Sequence, residues 1–321
     1  QKIAGAVCLG FGEAATIGNA ALQRLPFGFP KVLLGRPPRP QRDTCWPLDD
    51  TLYFPCSQKI EPLNRLSRPI FAQAAGAVCG MVETVKPSAK EDAPLIFASV
   101  FGNTATGVQL SSELLEKNGY QVVAFRATGT GGRTMEALIA EGAAEGVLDF
   151  TLKEIADEVV GGVLSAGPNR LEAAAKQGVP AIVVPGCLDI VNFYAAHTVP
   201  PRFAGRLIHL HSPRVTLLRT TPEEAAEIGR RVARKLNAST GPLTVLLPLL
   251  GLSSLGSPGY AFHQPKADAA LFQSLRKGLR KDIPLIEMDA TVGDPTFADA
   301  CVRALLSNIA SKGPHSRETR N

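Results

Sequence analysis

Residues 95–139 read LIFASVFGNTATGVQLSSELLEKNGYQVVAFRATGTGGRTMEALI, and their order decides the fold class. The apolar run 95–100 predicts a strand. Phe101-Gly102-Asn103 leads from it into a helix over 104–117, which Gly119 ends at the position where left-handed backbone commonly closes a helix. A second strand, 121–125, follows. After it, a glycine-rich turn opens a helix over 133–141 marked by Met135, Leu138 and Ile139. Two strands joined through a helix imply parallel pairing with a right-handed crossover.

The same alternation continues toward the carboxyl end. Strands are predicted over 147–150, 181–184, 206–210, 244–247 and 285–288, and helices over 153–160, 170–176, 266–277 and 296–309. Thr221-Pro222-Glu223-Glu224 is a capping box with proline at the first helical position, and its helix is expected to bury Ile228, Val232 and Leu236. Toward the amino end, a strand over 3–9 turns through Gly10-Phe11-Gly12 into a helix reaching about residue 25, and 31–34 is the next strand. Pro37, Pro38, Pro40 and Pro47 make 36–50 a loop, and 60–81 reads as a long helix kinked at Pro69. The polar stretch 83–94 marks a domain boundary. The expected fold class is therefore α/β, with two tandem Rossmann-like domains, mainly parallel sheets and an incomplete first domain. Residues 1–90 form the partial N-terminal domain, 91–310 the C-terminal domain and 311–321 a disordered tail.

Composition agrees with a globular chain. Of 321 residues 45% are hydrophobic and 20% charged, enough for a core and unlike a disordered, collagenous or coiled-coil protein. Aromatics at 6% are too sparse for stacking platforms that hold single-stranded nucleic acid. Residues 1–90 hold 11 Lys/Arg against 6 Asp/Glu and the rest 23 of each, so the +5 charge sits in the first segment, notably at Arg36, Arg39 and Arg42. No nucleic-acid-binding motif accompanies them, so they read as a solvated loop. The six cysteines are far apart and include no CxxC pair, which argues against zinc and for a reducing compartment, taken as cytoplasmic. No run approaches the ~18 apolar residues of a membrane span, and no secretory signal is visible. The chain opens without Met, directly in a strand-like run, as a fragment would.

Ligands of open parallel sheets bind at the carboxyl ends of strands, and five loops qualify. The first is Ala127-Thr128-Gly129-Thr130-Gly131-Gly132-Arg133-Thr134. Its glycines admit close backbone approach, and a helix start favours an anion. Gly129, Gly131 and Gly132 are the expected anion binders, with Thr130 and the charge of Arg133. It is neither a Walker A loop nor a dinucleotide fingerprint. The second, with Gly10, Gly12 and Thr16, reads equally as a turn, and Glu13 beside it repels phosphate. The third offers Asn103 and Thr104, which also suit a helix cap, and the fourth Ser165. The fifth, Pro185 to Asn192, carries Asp189 and Asn192 at the same sheet edge. Asp189 is the candidate catalytic residue, as a base, a Mg²⁺ ligand or a ribose acceptor, with a helix-start cap as the plain alternative. Cys187 reads as a buried thiol rather than a nucleophile. His209 and His211 share one strand face, and two ligands without a third make no metal site; none is expected.

Four phrases, ATGTGGRTMEALI at 127–139, GGVLSAGPNRLEAA at 161–174, VVPGCLDIVNF at 183–193 and TTPEEAAEIGR at 220–230, carry a family resemblance. The chain resembles the tomato mosaic virus (tobamovirus) resistance protein-like, ATP-binding domain family over nearly all of residues 60–310. The resemblance implies two α/β domains in tandem, ATP as ligand and a homodimer; Mg²⁺ is a further candidate cofactor. In the plant member the domain binds a viral replication protein. Asn64 and Arg65 fit the family's helix-entry motif. The family's early Gly-Thr-Ala-Asp-Thr-Lys-Gly-like motif is missing, and Gly10-Phe11-Gly12-Glu13-Ala14-Ala15-Thr16 replaces its Gly-Ser-Gly-Gly-Thr-like loop, matching only at Gly10, Gly12 and Thr16. That pattern implies an N-terminally truncated member.

Three functions follow as expectations. The first is a nucleotide-binding protein acting on a small anionic metabolite at the inter-domain cleft. The second is a non-catalytic, nucleotide-responsive dimer that docks a protein partner. The third is a nucleotide-incompetent remnant. Nucleic acid and membrane are not expected partners.

Overall fold

A computed structural model describes residues 3–10, 13–35, 50–56, 63–84 and 93–312. The chain divides into two compact units, Gln1–Asp92 and Ala93–Asn321.

The first unit contains β1 (Ala6–Gly10), α1 (Glu13–Leu22), β2 (Lys31–Gly35), β3 (Leu52–Pro55) and α2 (Ser67–Thr84). The three strands form a parallel sheet in the order β1-β2-β3. The central strand is wholly buried, with Val32 and Leu34 packed in one cluster with Ala74 of α2. Lys31 begins that strand inside the unit, its ammonium held by the Pro26 carbonyl at 3.0 Å and by Asp50. β3 was not foreseen; its four residues follow directly on the proline-rich stretch. The expected kink at Pro69 does not occur. α2 starts at Ser67, so the proline lies in the first turn, where its missing N–H leaves no helical bond unmade. Asn64 precedes it and accepts the amides of Leu66 and Ser67 at 2.9 and 3.0 Å. The basic stretch with Arg36, Arg39 and Arg42, Gly12, and the tail beyond Lys312 lie outside the described residues.

The second unit runs β4 (Leu95–Val100), α3 (Ala105–Lys117), β5 (Gln121–Arg126), α4 (Thr130–Ala140), β6 (Gly146–Thr151), α5 (Lys153–Val160), α6 (Ala173–Gln177) and β7 (Ala181–Gly186). It continues with β8 (Ile190–Phe193), β9 (Ile208–Ser212), β10 (Val215–Arg219), α7 (Pro222–Leu236), β11 (Leu243–Pro248), α8 (Pro265–Gly278), β12 (Leu285–Met288) and α9 (Pro295–Lys312). Six strands make one parallel sheet in the order β12-β11-β7-β6-β4-β5. The chain leaves β4 toward β5 on one side, then crosses back to β6 on the other, which puts the topological switch point between β4 and β6. This is the expected α/β, Rossmann-like architecture.

Side chains alternate across the strands and feed two cores. Phe97, Val147, Val183 and Val245 face one cluster with Met135, Ile155, Ile228 and Leu271. Ile96, Leu148, Ile182 and Leu246 face the other, with Val108, Phe297, Cys301 and Leu305. Helices therefore cover both faces, which explains why these strands are continuously apolar. The box at Thr221 forms as expected: its hydroxyl accepts the Glu224 amide at 3.2 Å and the Glu224 carboxylate accepts the Thr221 amide at 2.9 Å.

Three expectations need correction. The strand predicted over 206–210 is not in the main sheet. It is β9, at the edge of a small antiparallel sheet ordered β8-β10-β9. The helix predicted over 170–176 shrinks to α6, because Leu171 turns left-handed (φ 71°) while Glu136 accepts the amides of Leu171, Glu172 and Ala173 at 2.6, 3.1 and 2.7 Å. α4 begins at Thr130, three residues earlier than expected, so Gly131 and Gly132 belong to its first turn.

Candidate functional site

The glycine-rich loop after β5 already holds an anion, and the anion is its own. Oε1 of Glu154, on α5, accepts the Gly129 amide at 2.6 Å and the Gly132 amide at 3.1 Å. The glycines are needed for chain-to-chain contact. A Cβ on Gly131 would stand 2.0 Å from the Arg126 carbonyl oxygen, and one on Gly132 2.1 Å from Glu154 Oε2. Gly129 itself is left-handed, at φ 87°. Arg133 turns back on the protein, with Nη1 donating to the Ser165 carbonyl at 3.0 Å and Nη2 to the Thr130 hydroxyl at 3.3 Å. The expected external anion at Gly129 and Gly132 is thus replaced by an internal carboxylate.

Glu154 belongs to a buried charge cluster that the sequence did not reveal. Arg170 donates through Nε to Glu154 at 2.8 Å, through Nη2 and Nη1 to both Asp149 oxygens at 2.6 Å, and through Nη1 to Glu136 at 3.2 Å. Burial alone would lower the Arg170 pKa, but Asp149 with Glu154 and Glu136 raises it well above its usual value. Burial raises the Glu154 carboxyl against the pull of Arg170. Ser165 is committed too, donating to Glu158 and accepting the Gly167 amide at 2.8 Å. Gly10 faces Gly35 across β1 and β2, where a Cβ on Gly35 would meet the Gly10 oxygen at 1.9 Å. Thr16 lies on the exposed side of α1.

A different set of groups gathers at the carboxyl edge of β4, β6, β7 and β11. Asp189, 1% exposed, follows β7 and accepts the Ser253 hydroxyl on Oδ2 at 2.6 Å; its Oδ1 is buried with no hydrogen-bond partner among the described residues. Ser253 follows β11, and the next residue donates its amide to the Asn103 carbonyl at 3.0 Å. Asn103 follows β4, and its buried Nδ2 also lacks a partner. Asn192 on β8 gives its amide to Asp157 at 2.9 Å and leaves Oδ1 unpartnered. Asp157 in turn pairs with Lys153, both buried, and the Lys153 ammonium lies 5.0 Å from the centre of the Phe101 ring. Thr104 is spent on structure, bonded to the Phe101 backbone and the Thr151 hydroxyl at 2.8 Å.

An apolar floor of Cys187, Ile190, Leu217 and Phe262, with Phe101 and Leu255 against it, ties these loops together. Cys187 is left-handed at φ 57°, a conformation that costs a non-glycine residue about 1–3 kcal/mol and collects at functional sites. Burial, helped by Asp189, pushes its thiol well above the usual value, which disfavours the thiolate. Burial also raises Asp189, opposed by Arg219 and the Ser253 bond. Among the described residues no three His, Cys, Asp or Glu side chains gather as a metal site. No helix among them is long and apolar enough to cross a membrane.

Family models for the C-terminal and N-terminal domains of the uncharacterised protein family UPF0261 match residues 93–309 and 1–87. The chain belongs to the UPF0261 family. A UPF0261 protein of Clostridium tetani is 42% identical over 309 residues, covering 96% of this chain and 76% of its own length. One of Rhizobium meliloti is 42% identical over 308 residues, covering 95% and 76%. The ToMV resistance protein Tm-1(GCR237) of Solanum lycopersicum is 34% identical over 322 residues, covering 98% of this chain but 43% of the tomato protein.

In this UPF0261 chain the rule for parallel sheets leads from sequence to Asp189, Asn192 and Asn103 at the carboxyl edge. It does not lead to Ser253 or Lys153, which the structure places there as well. The signal for Ser253 was the Gly/Ser loop at 251–259, which directly follows a strand. Lys153 had none, since a lysine opening an amphipathic helix reads as solvent-facing.

Proposed function

We propose that this UPF0261 chain binds a nucleotide, or a similar hydroxyl-bearing anion, at the carboxyl edge of its six-stranded sheet. The observation that carries the reading is Asp189 Oδ1, a carboxylate oxygen buried with no hydrogen-bond donor among the described residues. Leaving such a group unpaired costs about 1–3 kcal/mol or more when charged, and a ligand hydroxyl removes that cost. Asn192 Oδ1 is a second acceptor without a donor, and Asn103 Nδ2 a donor without an acceptor. Two acceptors and one donor match the hydroxyls and ring oxygen of a ribose.

The phosphates would lie toward the start of α3. A side chain at Gly102 would meet nothing within 4 Å there, and a helix start favours negative charge. The Gly129–Arg133 turn is the poorer phosphate site because Glu154 fills it. Mg²⁺ would come with the phosphates, which is its usual mode of binding. Asp189 would orient the ligand and accept a proton from a hydroxyl where turnover occurs. Comparing ATP with its 2′,3′-dideoxy analogue tests the hydroxyl argument. A diol held by Asp189 predicts at least tenfold weaker binding of the analogue, and equal affinity overturns the assignment.

A second reading is a nucleotide-responsive homodimer that docks a protein partner without turnover. Its support is the setting of the nucleophiles: burial disfavours the Cys187 thiolate, and the Ser253 hydroxyl donates to Asp189 while accepting the Gly256 amide at 3.0 Å. Neither is paired with a histidine base among the described residues. The tomato relative, a ToMV resistance protein by name, belongs with this reading. Steady release of ADP or phosphate by the purified chain would count against it.

A further inference from the structure

A pocket of 380 Å³ opens between α5, the turn that leads into α6, and the last turns of α7. It shares no residue with the carboxyl-edge cluster. Its floor is apolar, made by Ile155 and Val159 of α5, Ala175 of α6 and Ala238 beyond α7. Its rim carries Lys176, Arg231, Arg234 and Lys235. Read from sequence alone, the α7 cations look like a solvated helix end. In the structure they border a cavity.

The charges there are unevenly placed. Lys176 and Lys235 share one carboxylate, Glu172, at 2.8 and 2.6 Å. Arg230 and Arg231 share another, Glu227, both at 2.9 Å. Arg234 has no ion-pair partner among the described residues. Glu158 also lines the pocket, and the carbonyl end of α7 is worth about half a negative charge. Arg170 lines it too, but its guanidinium is answered by Glu136, Asp149 and Glu154 on its buried side, so the cations without a full partner are those at the rim. Glu227 engages Arg231 through Nε, which leaves both terminal amino groups without a partner among the described residues. Arg231 and Arg234 are three residues apart on one helix and so share a face. Guanidinium forks match phosphate oxygens in pairs, and two forks suit a dianion better than a single carboxylate.

We propose that this pocket binds a small organic phosphate monoester, with Arg231 and Arg234 on the phosphate and the apolar floor under the organic body. It is a second site, and it does not depend on what occupies the carboxyl edge.

Calorimetric titration of the full chain with phenyl phosphate at low ionic strength tests it, beside phenol and inorganic phosphate, which carry the body and the charge separately. The expected result is binding of phenyl phosphate at least tenfold tighter than either. An Arg231→Ala, Arg234→Ala double variant should lose at least tenfold, and Asp189→Asn should bind as the parent does. Both arginines are surface-borne, so the double variant should melt with the parent; should it not fold, Arg234→Ala alone serves. No binding of phenyl phosphate, equal affinity in the arginine variant, or loss of binding in Asp189→Asn overturns the proposal. The last result would move the ligand to the carboxyl edge.

Discussion

Glu154 Oε1 stands 2.6 Å from the Gly129 amide nitrogen, in the position a bound phosphate oxygen would take at a glycine-rich helix start. A carboxylate from 25 residues away has become the anion of that turn. The turn therefore has a structural task, and the nucleotide site proposed above lies elsewhere on the same sheet edge.

Gly132→Ala should be costly. Its Cβ would fall 2.1 Å from Glu154 Oε2, at the centre of a cluster that cannot shift without loosening Arg170. Overpacking of this kind costs about 1–3 kcal/mol. Gly293→Ala, whose nearest neighbour would be 4.0 Å away, is the control and should change little. Chemical denaturation of both variants measures the difference, and equal midpoints would contradict the packing account.

Arg170→Met should destabilise more than Glu154→Gln. Removing the guanidinium strands Asp149, Glu154 and part of Glu136 in the interior, and breaking a buried pair costs about 3–5 kcal/mol. Glu154→Gln leaves Arg170 two carboxylates and keeps an oxygen for the Gly129 and Gly132 amides, so about 1–3 kcal/mol is expected. The reverse order in denaturant midpoints would mean the cluster is held by Glu154 and not by Arg170.

Asp268 gives a pH signature. Burial, the largest cause, pushes its carboxyl up to about 6 although Arg219 lies 2.6 Å away; the nearby Asp189 adds to the rise. A folded-state value above the unfolded one means that the folded protein holds more proton between pH 4 and 6. The contribution of this group is then fully present below the unfolded value and is lost as pH rises through about 6. Two pH units correspond to about 3 kcal/mol. Between pH 4 and 7 the unfolding free energy of the parent should fall relative to Asp268→Asn by up to that amount. A difference that stays flat across this window would show that Asp268 titrates normally.

What was legible in the sequence was the local part. The run 95–126 and the box at Thr221 carry their structural signals within a few residues, and both form as expected. Short antiparallel strands such as Val215–Arg219 were not legible, because one partner, Phe193, is set by tertiary contact, and the turn to the other, Ser212, is Pro213-Arg214, without the glycine or asparagine that marks a tight hairpin. The glycine loop misled for a related reason. Glycines show that something comes close to the backbone but not whether it is a ligand or Glu154. Asp189 and Asn192 were reachable because strand-end position is itself a local property, while their buried, unpartnered oxygens only three dimensions reveal.

The most direct test of the account is calorimetric titration of the full chain with ATP, with and without Mg²⁺, beside Asp189→Asn and Asn103→Ala. The account predicts binding by the parent that weakens at least tenfold in Asp189→Asn, since a hydrogen bond to a charged group is worth about 1.5–3 kcal/mol, and by a smaller factor in Asn103→Ala, whose neutral bond is worth about 0.5–1.5 kcal/mol. No binding by the parent, or equal affinity in all three proteins, would contradict a nucleotide site at the carboxyl edge of the sheet.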